Sequence, residues 1–283
     1  MQLAKPYSLN LRGRLTEISS PKVMGIVNVT PDSFYAQSRK QTAREIGEQV
    51  NKMLDEGADM IDVGAYSSRP GASDVSPEEE MNRLARALDI IREQHPEVIV
   101  SVDTFRAKVA QECVERYGAD IINDISGGDL DPEMFETAAA LNVPYILMHM
   151  KGTPQDMQKA PCYNHLMSEM LQYFAERIDR LHLLGLNDII LDPGFGFAKT
   201  LGHNYQLMKH LSELHTLGLP LLAGISRKSM IYRLLDSTPQ EALNGTTVLN
   251  TLALVQGASI LRVHDVKAAC EAVKIVETCL QSE

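Results

Sequence analysis

Several polar residues stand where short apolar runs of this chain end. The acids are Asp62, Asp103, Asp124 and Asp192, the cations Arg69, Lys228 and Arg262 with His149 and His264, and the neutral hydrogen-bonding groups Asn28, Ser68, Asn123 and Ser226. Carboxylates and an amide facing one pocket, as Asp103, Asn123 and Asp192 could, suit a flat heterocycle that presents N–H donors. A carboxylate accepts two parallel N–H bonds from a 2-amino-4-oxo-pyrimidine edge much as it does from arginine. The run Ser226-Arg227-Lys228, with Arg262 and His264 nearby, suits an oxyanion. Each group also has a plainer reading: an aspartate at a strand end caps the next helix, and Arg227-Lys228 is a solvated pair. Clustering favours the site. No Ser-His-Asp or Cys-His arrangement is evident.

The elements that must position these groups recur eight times. Apolar runs end in VNVTPDSF, IDVGAYSSRPG, VSVDT, INDISGG, LMHMKG, LDPGFGF, GISRKS and LRVHDV. The strands are read at 23–29, 60–63, 98–102, 121–125, 145–148, 189–191, 221–225 and 260–263. They are apolar on both faces, as a parallel sheet covered by helices requires. Helices are expected near 43–56, from Ser76-Pro77, up to Tyr117, from Asp131-Pro132, over 164–184 and over 266–280. Gly57, Gly118 and Gly185 serve as terminators, and Ser76, Pro77 and Glu78 to Glu80 form a strong helix start. The order predicts an α/β fold, a single (β/α)8 TIM barrel over residues 1–283, with the barrel at about 23–280 and a short N-terminal extension. In such barrels the strand ends and following loops carry the chemistry, and the loops after strands seven and eight often hold phosphate. An open doubly wound sheet would usually carry G-x-G-x-x-G after strand one; NVTPDSF stands there. Arg262 and His264 are two apart, so they share a face. Phe195 and Phe197 offer flat apolar surface at the barrel mouth, and two long loops, about 30–39 and 66–76, read as lids.

The chain has 283 residues, near the roughly 250 of one such barrel, and no linker-like stretch divides it. Its net charge of −10 argues against non-specific nucleic-acid or anionic-membrane binding, which needs clustered cations. Cys113, Cys162, Cys270 and Cys279 form no metal-spaced cluster, and the start MQLAKPYSLN lacks the apolar core of a signal peptide. A reducing, cytoplasmic setting is expected.

The segments MGIVNVTPDSF, DVGAYSSRPGA, SVDT, NDISGG, MHMKGTP, DPGFGFAK, GISRKSM and LRVHDV, in this order, resemble the dihydropteroate synthase family. The resemblance covers nearly the whole chain from Val23. It implies a transferase of folate biosynthesis that joins 6-hydroxymethyl-dihydropterin pyrophosphate to 4-aminobenzoate with Mg²⁺, is inhibited by sulfonamides and is a homodimer. It implies that Asn28 ligates Mg²⁺, and that Asp103, Asn123, Asp192 and Lys228 hold the pterin. Arg262 and His264 would hold the pyrophosphate, with Ser68 and Val263 completing that substrate's site. Phe34, Ser68, Arg69, Pro70 and Ser226 would line the aminobenzoate pocket. Asp103, Asp192, Lys228, Arg262 and His264 would be the catalytic set.

Two loops depart from the family pattern. YAQSRK replaces an SDGG-like stretch after PDSF, leaving Asn28 and Asp32 in place, and GAYSS replaces GGEST. Serine for threonine at Ser68 keeps the hydroxyl, so altered pocket shape rather than lost function is expected. A pterin-binding methyltransferase-type barrel is an alternative, against which the set Ser226, Arg227, Lys228, Arg262 and His264 argues. A catalytically silent pterin-binding homologue is another; Asn28 and Lys228 argue against it.

Overall fold

A computed structural model of the chain describes residues 6–29, 39–66, 75–153 and 161–282. The polypeptide starts with a β-hairpin, β1 (Tyr7–Leu11) and β2 (Arg14–Ile18), antiparallel in register Leu11↔Arg14. Arg12 and Gly13 both take positive φ, 55° and 73°, the mirror-image turn that matches the twist of a two-residue hairpin. The short extension expected from sequence is therefore an ordered element. It sits under the barrel. Leu9 and Leu11 pack with Met24, Met60, Ile121, Ile146, Ile190, Leu222 and Ile260 in one apolar cluster, and Arg12 donates to Asp120 at 2.6 Å. Burying this floor closes the end of the barrel opposite the polar rim.

The barrel strands are β3 (Lys22–Asn28), β4 (Met60–Gly64), β5 (Ile99–Asp103), β6 (Ile121–Asp124), β7 (Tyr145–Met148), β8 (Ile189–Asp192), β9 (Leu222–Ala223) and β10 (Ile260–Val263). They form one parallel eight-stranded sheet in the order β8-β7-β6-β5-β4-β3-β10-β9, and a parallel bridge between Leu191 and Leu221 joins its two edges. The fold is a (β/α)8 barrel. The helices are α1 (Arg39–Asp55), α2 (Pro77–Gln94), α3 (Ala107–Tyr117), α4 (Met134–Leu141), α5 (Leu166–Leu183), α6 (Leu201–Lys209), α7 (Ser229–Tyr232), α8 (Leu243–Val255) and α9 (Val266–Gln281).

Helix starts and stops follow local chemistry where the sequence marks them. Ser76 caps α2 by accepting the Glu79 N–H at 3.2 Å, and Gly118 ends α3 at φ 65°. Asp131-Pro132 behaves differently. Asp131 accepts the N–H of Ala107 at 2.8 Å and of Glu133 at 3.0 Å, so it ties two loops together, and α4 begins only at Met134. The stretches carrying α6 and α8 show no clear polar face in sequence; α8, LNGTTVLNTLALV, has no charged residue at all.

Strand alternation now explains the position of the polar groups. On each strand the residue in or against the floor is followed, two positions on, by the next inward residue. The pairs are Met24 and Ile26, Met60 and Asp62, Ile99 and Ser101, Ile121 and Asn123, Ile146 and Met148, Ile190 and Asp192, Leu222 and Gly224, and Ile260 and Arg262. One pleat step changes an apolar floor into a layer that holds two aspartates, an asparagine and an arginine.

Candidate active site

Arg262 is the centre of the inward layer. Its Nε donates to Asp62 Oδ2 at 2.7 Å, and Nη2 lies 2.6 Å from the same oxygen and 2.7 Å from Asp103 Oδ2. Asp62 is fully buried and also accepts the Asn123 side-chain N–H at 3.3 Å. A buried carboxylate is tolerable only when paired and hydrogen-bonded, and this one is. Burial works against the Arg262 charge, but Asp62 and Asp103 hold its pKa above the usual arginine range. Burial pushes the Asp103 carboxyl up to about 7, opposed by Arg262 and reinforced by Asp62.

Asp192, at the end of β8, accepts the Gly194 N–H at 2.8 Å through Oδ1. Burial raises its pKa, with Lys228 opposing. Lys228 stands at the N-cap of α7, a single helical turn, and its side chain runs back across the mouth. Its Nζ donates to the Phe195 carbonyl and lies 4.5 Å from the Phe197 ring centroid. Burial lowers its pKa to about 8, opposed by Asp192. The stem passes over Gly196, where a Cβ would lie 3.1 Å from Lys228 Cδ and where φ is +80°; glycine meets both demands.

His264 follows β10 and is exposed. Its backbone N–H donates to Ser226 Oγ at 3.1 Å, and Nδ1 lies 3.0 Å from the same oxygen. Ser226, expected to line the aminobenzoate pocket, is thus first of all the hydroxyl that orients His264. Asn28 ends β3, exposed at the rim.

Several expectations change here. Val263 turns outward, fully buried against the helices, because the alternation that faces Arg262 inward faces its neighbour away; its side chain does not reach the pocket. Arg227 leaves the anion site: it binds Asp265 through Nε at 2.8 Å and Nη2 at 2.9 Å, and donates to the Pro239 and Gln240 carbonyls. Asp124 also turns outward, accepting Tyr145 Oη–H at 2.6 Å and the Ser126 and Gly128 N–H groups. The helix after β9, α7, is a single turn of four residues, too short to act as a dipole. Arg262 and Asp103, assigned to different ends of one substrate, are salt-bridged to each other. Phe34, Ser68, Arg69 and Pro70 lie outside the described residues, as does most of both expected lids.

Asp62 is the functional residue that the sequence reading left without a role. Its signal was present: it lies two positions after Met60 on a strand, sharing the inward face.

The geometry thus joins an acid-and-amide pocket for a flat N–H donor to a cationic corner at Arg262, Lys228 and His264. Comparison with known proteins gives the family. Residues 24–264 match the pterin binding enzyme family. The chain is 44% identical to dihydropteroate synthase of Escherichia coli strain K12 over 96% of both chains. It belongs to the dihydropteroate synthase family. The Bacillus subtilis dihydropteroate synthase is 41% identical over 91% of this chain and 88% of its own length. Among solved structures, a Yersinia pestis dihydropteroate synthase with a sulfonamide drug complex superposes with a TM-score of 0.90 at 43% identity, covering 98% of this chain and all of that one. A Xanthomonas albilineans dihydropteroate synthase in complex with 7,8-dihydropteroate gives 0.85 at 33% identity, covering 98% and 99%. The dihydropteroate synthase architecture therefore runs through the whole described chain.

Proposed function

We propose that the chain condenses 6-hydroxymethyl-7,8-dihydropterin pyrophosphate with 4-aminobenzoate, giving 7,8-dihydropteroate and pyrophosphate in folate biosynthesis. The observation that carries this is the inward layer, in which Asp62, Asn123, Asp192 and Arg262 converge one pleat step above an apolar floor. Asp103, Asn123 and Asp192 present acceptors and an amide for the pterin ring edge, with Lys228 beside them. Arg262 and His264 take the pyrophosphate. In the reaction the C–O bond to pyrophosphate breaks and the electron pair leaves with the phosphate; a C–N bond forms, and the arylamine gives up a proton. Arg262 and His264 stabilise the charge that grows on the leaving group, from positions already set in a partly desolvated site. Asp103 and Asp192 stabilise the cationic pterin. An ionisation-first order fits the described residues of the site, among which no side chain is placed as a nucleophile.

Asn28 fits Mg²⁺ in one respect: it offers a hard, neutral oxygen at the open rim. Mg²⁺ is commonly held by one or two protein oxygens together with substrate phosphates, and no group of three His, Cys, Asp or Glu with metal geometry occurs among the described residues. Bound there by Asn28 and the pyrophosphate, the ion would supply charge neutralisation to the leaving group.

The test is a pyrophosphate-release assay with both substrates, run with Mg²⁺ and with a chelator. Release should need the pterin substrate and Mg²⁺, and a slow release should persist without 4-aminobenzoate. A sulfonamide should inhibit, and added 4-aminobenzoate should relieve it. No release with both substrates present would refute the activity. Release wholly dependent on the amine would refute the ionisation-first order alone.

We further propose a homodimer in a reducing cytoplasm. All four cysteines are free thiols, and among the described residues no helix is long and apolar enough to cross a membrane. On α8, Val248 is 52% exposed and Leu252, one turn on, 45%; Ile275 on α9 is 62% exposed. A second copy would bury this apolar face, as homodimer interfaces do. Sedimentation of Val248→Glu should show a monomer where the parent sediments as a dimer; a monomeric parent would refute the assignment.

A further inference from the structure

We propose that Lys199, backed by His149, is a positioning residue that sets Asp192 and Lys228 for the reaction by locking the turn after β8. Lys199 is 3% exposed, far from the usual place of a lysine. Its Nζ donates to three acceptors: the Gly194 carbonyl at 3.0 Å, the Phe197 carbonyl at 3.2 Å and His149 Nδ1 at 3.1 Å. An ammonium has three N–H donors and no acceptor, so the three partners satisfy the charged form completely. His149 must then be neutral, with its proton on Nε2. Burial and the neighbouring Lys199 charge keep it so, holding its pKa well below the usual range. The ring is wedged edge-on against Tyr173, centroids 4.7 Å apart, which fixes the acceptor nitrogen.

The two carbonyls gripped by Lys199 belong to the residues that bear on the site. Gly194 supplies the N–H that orients Asp192. Its φ is +68°, and a Cβ there would lie 2.2 Å from the His149 carbonyl oxygen, so the turn rests directly on the His149 backbone. Phe197 supplies the ring beneath Lys228. Between them, the Phe195 carbonyl accepts from Lys228. One buried ammonium therefore holds both ends of the segment that contacts Lys228 and aims Asp192. Asn204 holds the middle, accepting the Gly196 N–H at 2.7 Å.

The lock is sensitive to pH near neutrality. Burial lowers the Lys199 pKa to about 7, opposed by Asp192 and reinforced by Lys228 and Lys151; with His149 these are, among the described residues, the titratable groups that face it from β8, the segment after β7 and the β9–α7 loop. Above that pH a neutral amine keeps two donors for three acceptors, and one bond is lost.

The inference rests on the roles proposed for Lys228 and Asp192. The experiment compares Lys199→Met, His149→Phe and their combination with Lys228→Ala, each checked for folding by circular dichroism. Lys199→Met should lower kcat about a hundredfold, the scale of a small misplacement of reacting groups, and change the KM for the pterin substrate far less. The fall of kcat/KM at high pH, which in the parent includes Lys199, should retreat to the single step of Lys228 near pH 8. Adding His149→Phe to Lys199→Met should cost less than threefold more, because the pair acts as a unit. A folded Lys199→Met enzyme with kcat within threefold of the parent, an unmoved basic limb, or additive losses would each overturn the proposal. If Lys228→Ala keeps normal turnover, the role of Lys228 itself fails, whatever Lys199 does. Should Lys199→Met not fold, nitrogen NMR of His149 in the parent decides: an Nε2–H tautomer whose Nδ1 shift moves near pH 7 supports the lock, and an Nδ1–H tautomer overturns it.

Discussion

Lys228→Ala will lower turnover by about a thousandfold, the upper range for removing one preorganised donor, while the protein keeps its fold. The fold survives because the Lys228 side chain makes no cap bond to α7 and, among the described residues, its ammonium donates to the Phe195 carbonyl at the mouth. Turnover falls because the half-buried ammonium sits where the Phe195 carbonyl, the Phe197 ring and Asp192 converge. The pH dependence has a definite sign. Lys228 acts protonated and its pKa is lowered to about 8, so kcat/KM, which reports the free enzyme, must fall above that pH. Arginine will not substitute: its planar fork is wider than a lysine head, and the Lys228 stem passes so close over Gly196 that even a Cβ there would lie 3.1 Å from Lys228 Cδ. Steady-state rates and thermal melts of the purified variant check this. A rate within tenfold of the parent would remove Lys228 from the mechanism.

Arg262→Ala will behave differently, losing both activity and stability. Its guanidinium neutralises Asp62, which is fully buried, and Asp103. Removing one partner of a buried ion pair costs about 3–5 kcal/mol because the other charge remains without compensation. Asp103 already titrates near 7, above the ordinary aspartate value of about 3.9. Without Arg262 it rises further, so the folded state then binds protons that the unfolded state has released. In the parent Asp103 is itself protonated below about 7, so the deficit relative to the parent opens as pH climbs through about 7 and beyond, and melts at pH 5 should lie closer to the parent than melts at pH 8. Asp62→Asn in the Arg262→Ala background should restore part of the stability and none of the activity. In the parent, Asp103 acts ionised, so kcat/KM must rise through about pH 7 before the lysine limb brings it down; the result is a narrow bell. A melting temperature of Arg262→Ala equal to that of the parent at pH 8 would show that the ion pair carries no structural load.

The contrast between the two variants rests on something invisible in the motifs. LRVHDV and GISRKS each read as an anion-binding corner, yet Arg262 is embedded among carboxylates while Arg227 has gone to Asp265. Parity along a strand carried much of the information. It faced Arg262 with His264, and it would have separated Asn123 from Asp124 and Arg262 from Val263 had it been applied throughout. Applied to β4 it also names Asp62. The hairpin was not expected, although Arg12-Gly13 lies between the runs YSLNL and RLTEI. Nothing in DPGFGFAK distinguishes Lys199 from a solvated lysine, because its three partners come from two separate segments of the chain.

By itself the sequence determined the barrel, the rim that carries the chemistry and the residue types available there, because periodicity, helix caps and strand ends are local properties of the chain. The eight-strand order and the apolar floor follow from them. Only the tertiary structure decided which charges meet. Whether Asp103 faces a ligand or Arg262, whether Lys228 leans towards Asp192, and whether Lys199 is exposed or enclosed depend on distances between strands closed into a ring. Those distances also set the desolvation that brings Asp103 and Lys199 to about 7 and Lys228 to about 8, and burial is a property of the assembled barrel that no single segment carries.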